Sequence, residues 1–471
     1  MDHLFQFPAP FVKNSKKKKI AVHFLNKATL KEWLKKQKAS IKSQIKQTGF
    51  DASPHQICDV KNARNETNII LCGIHDPVHY LDSAYAVQFL ETNYSKSFLN
   101  SRVFSISSKH EAEDLNKLCI GWGLAHYRFT PYKKSSAGSL SLITPEKADP
   151  KDITASIEAV SLLRNLINTP ANDLGTNELA SAAKTLAKNH KASIKIIQGK
   201  ELENGFPMIH AVGKASPRPP QLVDLRWGKD GDPKVTIVGK GIIYDTGGLN
   251  LKPGQFMRDM KKDMGGAAHA LGVAHMVMAM NLPIQLRVLL PIAENAVAGN
   301  SYRPGDVLQT RKGDTVEIND TDAEGRLVVA DALTYACEEK NDLLIDFCTL
   351  TGAARVALGY DIPAFFSNQD EFLSSLRDVG MEADDPVWPL PLWQGYKPEM
   401  GSIIADISNE GTGRAGAIHG ALFLEHFIDS KTDWIHFDCY AWEQGGKPGR
   451  PKGGADTGAR ALFHFLKERY L

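Results

Sequence analysis

The first 150 residues alternate short apolar runs with longer polar stretches that carry apolar residues at helical spacing. KIAVHFL (19–25), TNIILCGI (67–74) and SRVFSIS (101–107) have the length and residue types of strands. ATLKEWLKKQKASIKSQIKQ (28–47) and EAEDLNKLCIGWGLAHYRF (111–129) are predicted as helices. Strand–helix alternation of this kind predicts an α/β domain over 1–150. SSAGSLSLITPEKADPK (135–151), polar and turn-rich, marks a boundary loop. DITASIEAVSLLRNLINTPAN (152–172) is helical by period until Pro170, so a linker helix is assigned to 151–172.

From 173 the rhythm resumes with stronger apolar runs. SIKIIQG (193–199), QLVDLRW (221–227), KVTIVGKGI (234–242), PIQLRVLLPIAEN (283–295), DLLIDFCTL (342–350) and DWIHFDCYA (433–441) read as strands. DMGGAAHALGVAHMVMAM (263–280) and GRLVVADALTYACEE (325–339) read as helices between them. Near-continuous apolar strands separated by helices predict a mostly parallel central sheet flanked by helices, in a larger C-terminal domain spanning 173–471. The fold class expected is therefore α/β with two domains. There is no internal repeat and no low-complexity tract.

Length supports two domains, since 471 residues exceed what one hydrophobic core usually organises. A net charge of +2 argues against a dedicated nucleic-acid binder, and Lys16–Lys19 reads as the solvated entrance to a strand. No run of 18 apolar residues predicts a membrane span, and the N-terminus lacks the apolar core of a secretory signal. Six scattered cysteines without a CxxC pair read as reduced thiols, so a cytoplasmic location is expected.

Polar chemistry gathers at the ends of three apolar runs. VTIVGKGIIYDTGGLNLKP carries Lys240, Asp245 and Lys252; MRDMKKDMGGAA carries Asp263; INDTDAEGRL carries Asp320, Asp322, Glu324 and Arg326. In an open α/β sheet, chemistry collects at the carboxyl ends of strands. Each acid has a local explanation: Asp322 as a helix N-cap, Asp263 as a first-turn acid, Asp245 as a turn residue. Lys240 could be a plain surface lysine. Four acids drawn together would repel one another unless cations joined them, and two divalent ions carry the matching charge. Arg326 has the local reading of an ion pair with Asp322 or Glu324. Asp331, deeper in its helix, reads as structural. His269 and His275 are six apart, the wrong spacing for a helical metal pair, and His419, His426 and His436 read as packed.

These stretches, with TLTGA and RNLINTPAN (164–172), closely resemble the signatures of the leucyl aminopeptidase (cytosol aminopeptidase) family of dinuclear metallo-exopeptidases. The likeness is strong over about 160–471 and general over the N-terminal domain. It implies a metal-dependent aminopeptidase that removes N-terminal residues by attack of a hydroxide bridging two divalent ions. Lys240, Asp245, Asp263 and Glu324 would bind the tighter ion. Asp245, Asp322 and Glu324, with the Asp322 carbonyl, would bind the exchangeable one. The likeness further implies that Lys252 meets the substrate carbonyl and that Arg326 holds bicarbonate as a proton shuttle. Met260, Asp320, Thr349, Leu350 and Gly352 are assigned to the substrate pocket. The expected ions are Zn²⁺ or Mn²⁺, with Mg²⁺ accepted at the looser position. Expected partners are short peptides with a free N-terminus and other copies of the chain in a homohexamer, with no membrane and no nucleic acid.

The residue types suit that chemistry. A lysine ligates a metal only as the neutral amine, which adjacent dications favour. Lys252 must instead stay charged to donate to a developing oxyanion, and Arg326 cannot act as a base. Asp320 stands where the family has Asn, Thr246 where it has Ser, and Tyr440 is bulkier than the small residues usual there. Three other readings compete: a two-metal phosphoesterase, a DNA-binding protein on the same fold, and a Rossmann-type cofactor protein. The first lacks a phosphate loop, the second lacks net positive charge, and the third lacks GxGxxG spacing.

Overall fold

The structure, a computed structural model, describes residues 2–134 and 140–471. Residues 135–139 of the expected boundary loop lie outside the described residues. The chain divides into two compact units. The first comprises Gln6–Ser161 and Gly445–Lys452; the second comprises Leu162–Gln444, Gly453–Leu471 and the N-terminal residues through Phe5. The segment expected as a linker helix over 151–172 is helical over Pro150–Asn168, and the division falls inside that helix. The exchange of 1–5 and 445–452 between units depends on distant contacts that no local pattern announces.

The first unit is built on a six-stranded sheet in the order Phe11–Val12, Leu142–Ile143, Arg102–Ile106, Lys18–Leu25, Thr67–Gly73, Ile57–Lys61. All neighbours are parallel except the last pair. Ile20, Val22 and Phe24, at alternate positions of the central strand, are fully buried. The single helix expected over 28–47 is two, Lys27–Lys35 and Ala39–Thr48. Asn26 opens the first by accepting N–H bonds from Ala28 and Thr29, and the Gln37 side chain turns back to the Trp33 carbonyl near its end.

The second unit carries a nine-stranded sheet. Its order is Trp388–Pro389, Ala364–Ser367, Trp434–Asp438, Leu343–Cys348, Lys234–Gly239, Gln285–Asn295, Gln221–Trp227, Ser193–Gln198, with Gly241–Asp245 pairing farther along Gln285–Asn295. The four central strands from Trp434–Asp438 to Gln285–Asn295 are parallel, and antiparallel pairs flank them. Burial follows that placement: all of Leu343–Cys348 is buried, whereas only Ile197 is buried in Ser193–Gln198 at the edge. KVTIVGKGI, expected as one strand, breaks at Lys240. There the backbone leaves the ladder: the Lys240 N–H donates to the Phe347 carbonyl (3.0 Å), and its own carbonyl accepts from the Ala267 N–H (2.8 Å). The 263–280 helix begins as a short 3-10 turn, Met260–Met264, and continues as Gly265–Met280, buried through Met278. Among the described residues, no helix is long and apolar enough to cross a membrane.

The C-terminal helix Ala459–Tyr470 has no cap of its own. Buried Asp385 serves instead, accepting from the Gly458, Arg460 and Ala461 N–H groups at 2.9, 2.9 and 3.0 Å. Asp385→Ala strands those donors at the positive end of the helix. We expect a loss of about 2–4 kcal/mol, read as a lower urea midpoint for the second unit. An unchanged midpoint would show that the cap is dispensable.

Candidate metal centre

Three chain segments bring their acids to one volume at the carboxyl ends of the central strands. Lys240 sits at the strand break, Asp245 ends the next strand, and Asp263 lies in the 3-10 turn before the buried helix. Asp322 and Glu324 flank the start of helix Glu324–Cys337. Two glycines permit the approach. A Cβ on Gly266 would stand 2.0 Å from the Phe347 carbonyl oxygen, and one on Gly325 would stand 2.5 Å from Lys240 Cε.

The charges interleave. Lys240 Nζ lies 2.6 Å from Asp263 Oδ2 and 2.9 Å from Glu324 Oε1, and donates to the Thr349 carbonyl at 3.1 Å. Lys252 Nζ lies 2.8 Å from Asp245 Oδ2 and 2.5 Å from Asp322 Oδ1. Burial opposes the charge on both lysines. Asp263, Glu324 and Asp245 outweigh it at Lys240, and Asp245, Glu324 and Asp322 outweigh it at Lys252, so both stay protonated well above the ordinary range. Burial, then the Asp245 charge, pushes Asp322 up to about 7 and Glu324 well above the carboxylate range. Asp263 falls below its ordinary value because Lys240 and Lys262 overcome its burial.

Asp263 Oδ2 meets the Lys240 ammonium at 2.6 Å and Asp322 Oδ1 meets the Lys252 ammonium at 2.5 Å, and among the described residues no other donor reaches either buried oxygen. Such oxygens are suited to a cation that accepts a wide range of approach angles. Asp245, Asp322 and Glu324 also place one oxygen each within 4.8 Å of one another. The donor set of carboxylates with one amine fits divalent ions.

The local explanations for these acids fare differently. Ala323, not Asp322, occupies the N-cap of the helix, and no side chain caps it. Asp263 accepts the Thr349 hydroxyl at Oδ1 (2.7 Å) rather than the first turn of an α-helix. Asp245 does accept its own turn's Gly247 N–H (2.8 Å). Lys240 is buried, so it is no surface lysine. Arg326 forms no ion pair with Asp322 or Glu324 among the described residues. It donates to the Asn409 carbonyl (2.7 Å), and its Nε is buried without a partner.

A cleft of about 700 Å³ opens beside the cluster. Lys252, Asp322 and Arg326 line it, as do Met260, Asp320, Leu350 and Gly352. Thr349 does not. It is buried behind the cleft, with its hydroxyl on Asp263 and its carbonyl on Lys240. Asp320 turns Oδ1 onto the Asp322 N–H (2.8 Å), bracing its own loop. Tyr440 stacks between cations, with Arg355 4.5 Å and Lys262 4.7 Å from its ring centre. Burial lowers Lys262 to about 8.

Sequence reading missed the groups that hold this arrangement. Asn295 Nδ2 donates to Asp245 Oδ1 (2.9 Å) and to the Thr321 carbonyl (3.0 Å), which also accepts from the Tyr302 hydroxyl (2.7 Å). Asn409 accepts from the Asn319 N–H and donates to the Asp320 carbonyl. Asp438 gathers the Leu350 and Thr351 N–H groups at 3.0 and 3.1 Å. Asn295 and Asp438 each end an apolar run, a local signal that Tyr302 and Asn409 lack. His436 is packed as expected, on Asp346, and His269 is buried with its ring on the Gly265 carbonyl. His419 is not only packed but lines the cleft.

Known proteins agree with this architecture. The profile described as the cytosol aminopeptidase family, catalytic domain, matches residues 161–463, and that of the M17 aminopeptidase, N-terminal domain, matches 20–145. A probable cytosol aminopeptidase of Geobacter sp. (strain M21) is 36% identical over 405 residues, covering 82% of either chain. The crystal structure of cytosol aminopeptidase from Coxiella burnetii superposes with a TM-score of 0.91 at 43% identity, over 98% of this chain and 99% of that one. The bottromycin maturation enzyme BotP in complex with Mn superposes with a TM-score of 0.84 at 27% identity, over 96% and 99%. With its acids interleaved by lysines at the mouth of a cleft and both of its domains matched, this chain belongs to the cytosol aminopeptidase family of metal-dependent aminopeptidases.

Proposed function

We propose that Asp245, Asp263 and Glu324, with Lys240 once the incoming ion displaces its proton, hold one divalent ion, and that Asp245, Asp322 and Glu324, with the Asp322 carbonyl, hold a second. The observation that carries this reading is the convergence of one oxygen each from Asp245, Asp322 and Glu324 within 4.8 Å, with buried Asp263 and Lys240 beside them. Zn²⁺ or Mn²⁺ suits the mixed oxygen and nitrogen donors, with Mg²⁺ at the more exposed position beside Asp322. The Mn named with BotP is in keeping with this choice. Such ions, when bound, supply Lewis acidity and an acidified water for peptide hydrolysis, and bicarbonate on Arg326 would supply proton transfer.

The chain's own groups do the rest. Lys252 keeps its proton, lines the cleft, and is placed to donate to the scissile carbonyl oxygen as negative charge develops there. Arg326 is anchored through Asn409 with its Nε unpartnered, which leaves the guanidinium edge for a bidentate anion. Asp320, Met260, Leu350 and Gly352 border the substrate, and Thr349 acts from behind by fixing Asp263 and Lys240. A free α-amine on the substrate completes the metal environment and restricts cleavage to the first residue. The working form is a homohexamer of cytoplasmic chains, consistent with six unpaired cysteines.

Two measurements test this. Leucyl anilide turnover is expected to fall at least ~10²-fold on chelation and return with Zn²⁺ or Mn²⁺, while N-acetyl-leucyl anilide stays uncleaved throughout. Turnover that ignores chelation removes the metals, and cleavage of the acetylated substrate removes the amine anchor. Lys252→Ala is expected to lower kcat by about 10²–10³-fold while metal content holds at the wild-type value. A change confined to KM would instead make Lys252 a ground-state contact.

A further inference from the structure

The first unit gathers a second set of metal donors. His55, His75 and Asp82 each offer one ligand atom, all within 4.8 Å of one another. His75 Nδ1 lies 2.6 Å from Asp82 Oδ1, and His55 Nε2 lies 3.7 Å from the same oxygen. The three come from separate segments: the turn before strand Ile57–Lys61, the loop after strand Thr67–Gly73, and the first residue of helix Asp82–Asn93. We propose that His55, His75 and Asp82 hold a divalent transition-metal ion, Zn²⁺ foremost, as a further metal site in the N-terminal unit.

Three features favour a ligand set over a chance meeting of side chains. First, the carboxylate is braced. Asp82 is buried, and its Oδ2 accepts the His75 and His79 N–H groups at 3.1 and 3.0 Å. That fixes Oδ1 toward the imidazoles, as backing hydrogen bonds fix the ligands of metal sites.

Second, the His55 ring is held. His55 stacks on Tyr85 with centroids 3.6 Å apart and planes 14° from parallel. The His55 N–H donates to the Gly73 carbonyl (3.0 Å), and the Gly73 N–H donates to the Gln56 carbonyl (2.8 Å), which pins this turn to the strand.

Third, the spacing is close to what an ion needs. Donors around a tetrahedral ion with bonds near 2.0–2.1 Å stand roughly 3.3 Å apart. The His75–Asp82 contact needs to open by less than about 1 Å to admit one. That movement exchanges a hydrogen bond for two metal bonds.

Two imidazoles and a carboxylate select borderline transition ions over Ca²⁺ or Mg²⁺, which prefer all-oxygen shells. The site is reachable, because the His55 and His75 side chains are 35% and 43% exposed. A fourth position is left to water. His79 is not counted, since its Nδ1 already accepts the Leu81 N–H. Bound metal would clip three segments of the N-terminal unit together, in the manner of a structural ion.

The test uses the full-length protein, stripped with chelator and dialysed against buffered micromolar Zn²⁺, with ions counted by atomic emission. His55→Ala/His75→Ala is expected to hold one Zn²⁺ fewer per chain than wild type, with leucyl anilide turnover unchanged. His55→Ala alone, at an exposed turn, is expected to weaken that one site at least about tenfold and covers the case in which the double variant misfolds. Co²⁺ loaded in place of Zn²⁺ should lose one set of visible bands in either variant. Equal ion counts in wild type and variants overturn the site. So does a difference that appears only at millimolar Zn²⁺, which means an adventitious ion only. Ion count and turnover are read separately, so failure here leaves the peptidase assignment standing.

Discussion

Everything at the catalytic end of this fold is constrained by four carboxylates sharing one buried volume with two lysines. Asp245, Asp263, Asp322 and Glu324 carry four negative charges if ionised, and Lys240 and Lys252 return two positive ones. Each lysine lies between two acids, at 2.5 to 2.9 Å, so two positive charges face four carboxylates. Burying such a group costs more than its internal attraction returns, so the cluster does not exist for stability. Its excess negative charge instead drives Glu324 and Asp322 toward protonation, a tendency that multivalent cations reverse. The cluster is a candidate cation site whose cost the surrounding core must offset.

The core meets that cost by its layout. Parallel strands deliver their carboxyl ends to one edge, and the main chain breaks at Lys240 so that its side chain leaves the ladder. The break is stable because Phe347 and Ala267 supply the missing backbone partners. Asn295, at the end of the longest central strand, then ties Asp245 to the loop that carries Asp322. Two otherwise independent loops are thereby set at fixed distance. That is the rigidity a two-ion site requires.

The acids were legible in the sequence because they interrupt apolar runs, which is a local signal. So were the strands of the central sheet, whose burial on both faces leaves continuous apolar stretches. The break at Lys240 was not legible, since VTIVGKGII reads as one strand until a neighbouring strand and helix claim its backbone. Asn295, Tyr302, Asn409 and Asp438 escaped notice for the same reason: their partners are 19 to 90 residues away. Thr349 was assigned to the pocket by the family likeness, whereas here its hydroxyl donates to Asp263 and it sits behind the cleft. The segment 445–452 joins the first unit through contacts that have no counterpart in local composition.

Helix Glu324–Cys337 shows why partners, rather than burial, separate a working acid from a structural one. Glu324 and Asp331 both lie on it and both are buried. Desolvation pushes both upward, Asp331 to about 7, so proton affinity does not tell them apart. Asp331 is surrounded by backbone donors: Met208 and Ile209 N–H on one oxygen at 2.9 and 3.4 Å, Arg311 N–H on the other at 3.0 Å. It caps the short helix Pro207–Gly213, and both of its oxygens are held by the main chain. Among the described residues, Glu324 meets only the Asn295 amide at 3.5 Å and the Lys240 ammonium at 2.9 Å, among three other acids. An acid with both oxygens held by the main chain ties the fold together. One gathered with other acids and few donors is the better candidate for a cation ligand.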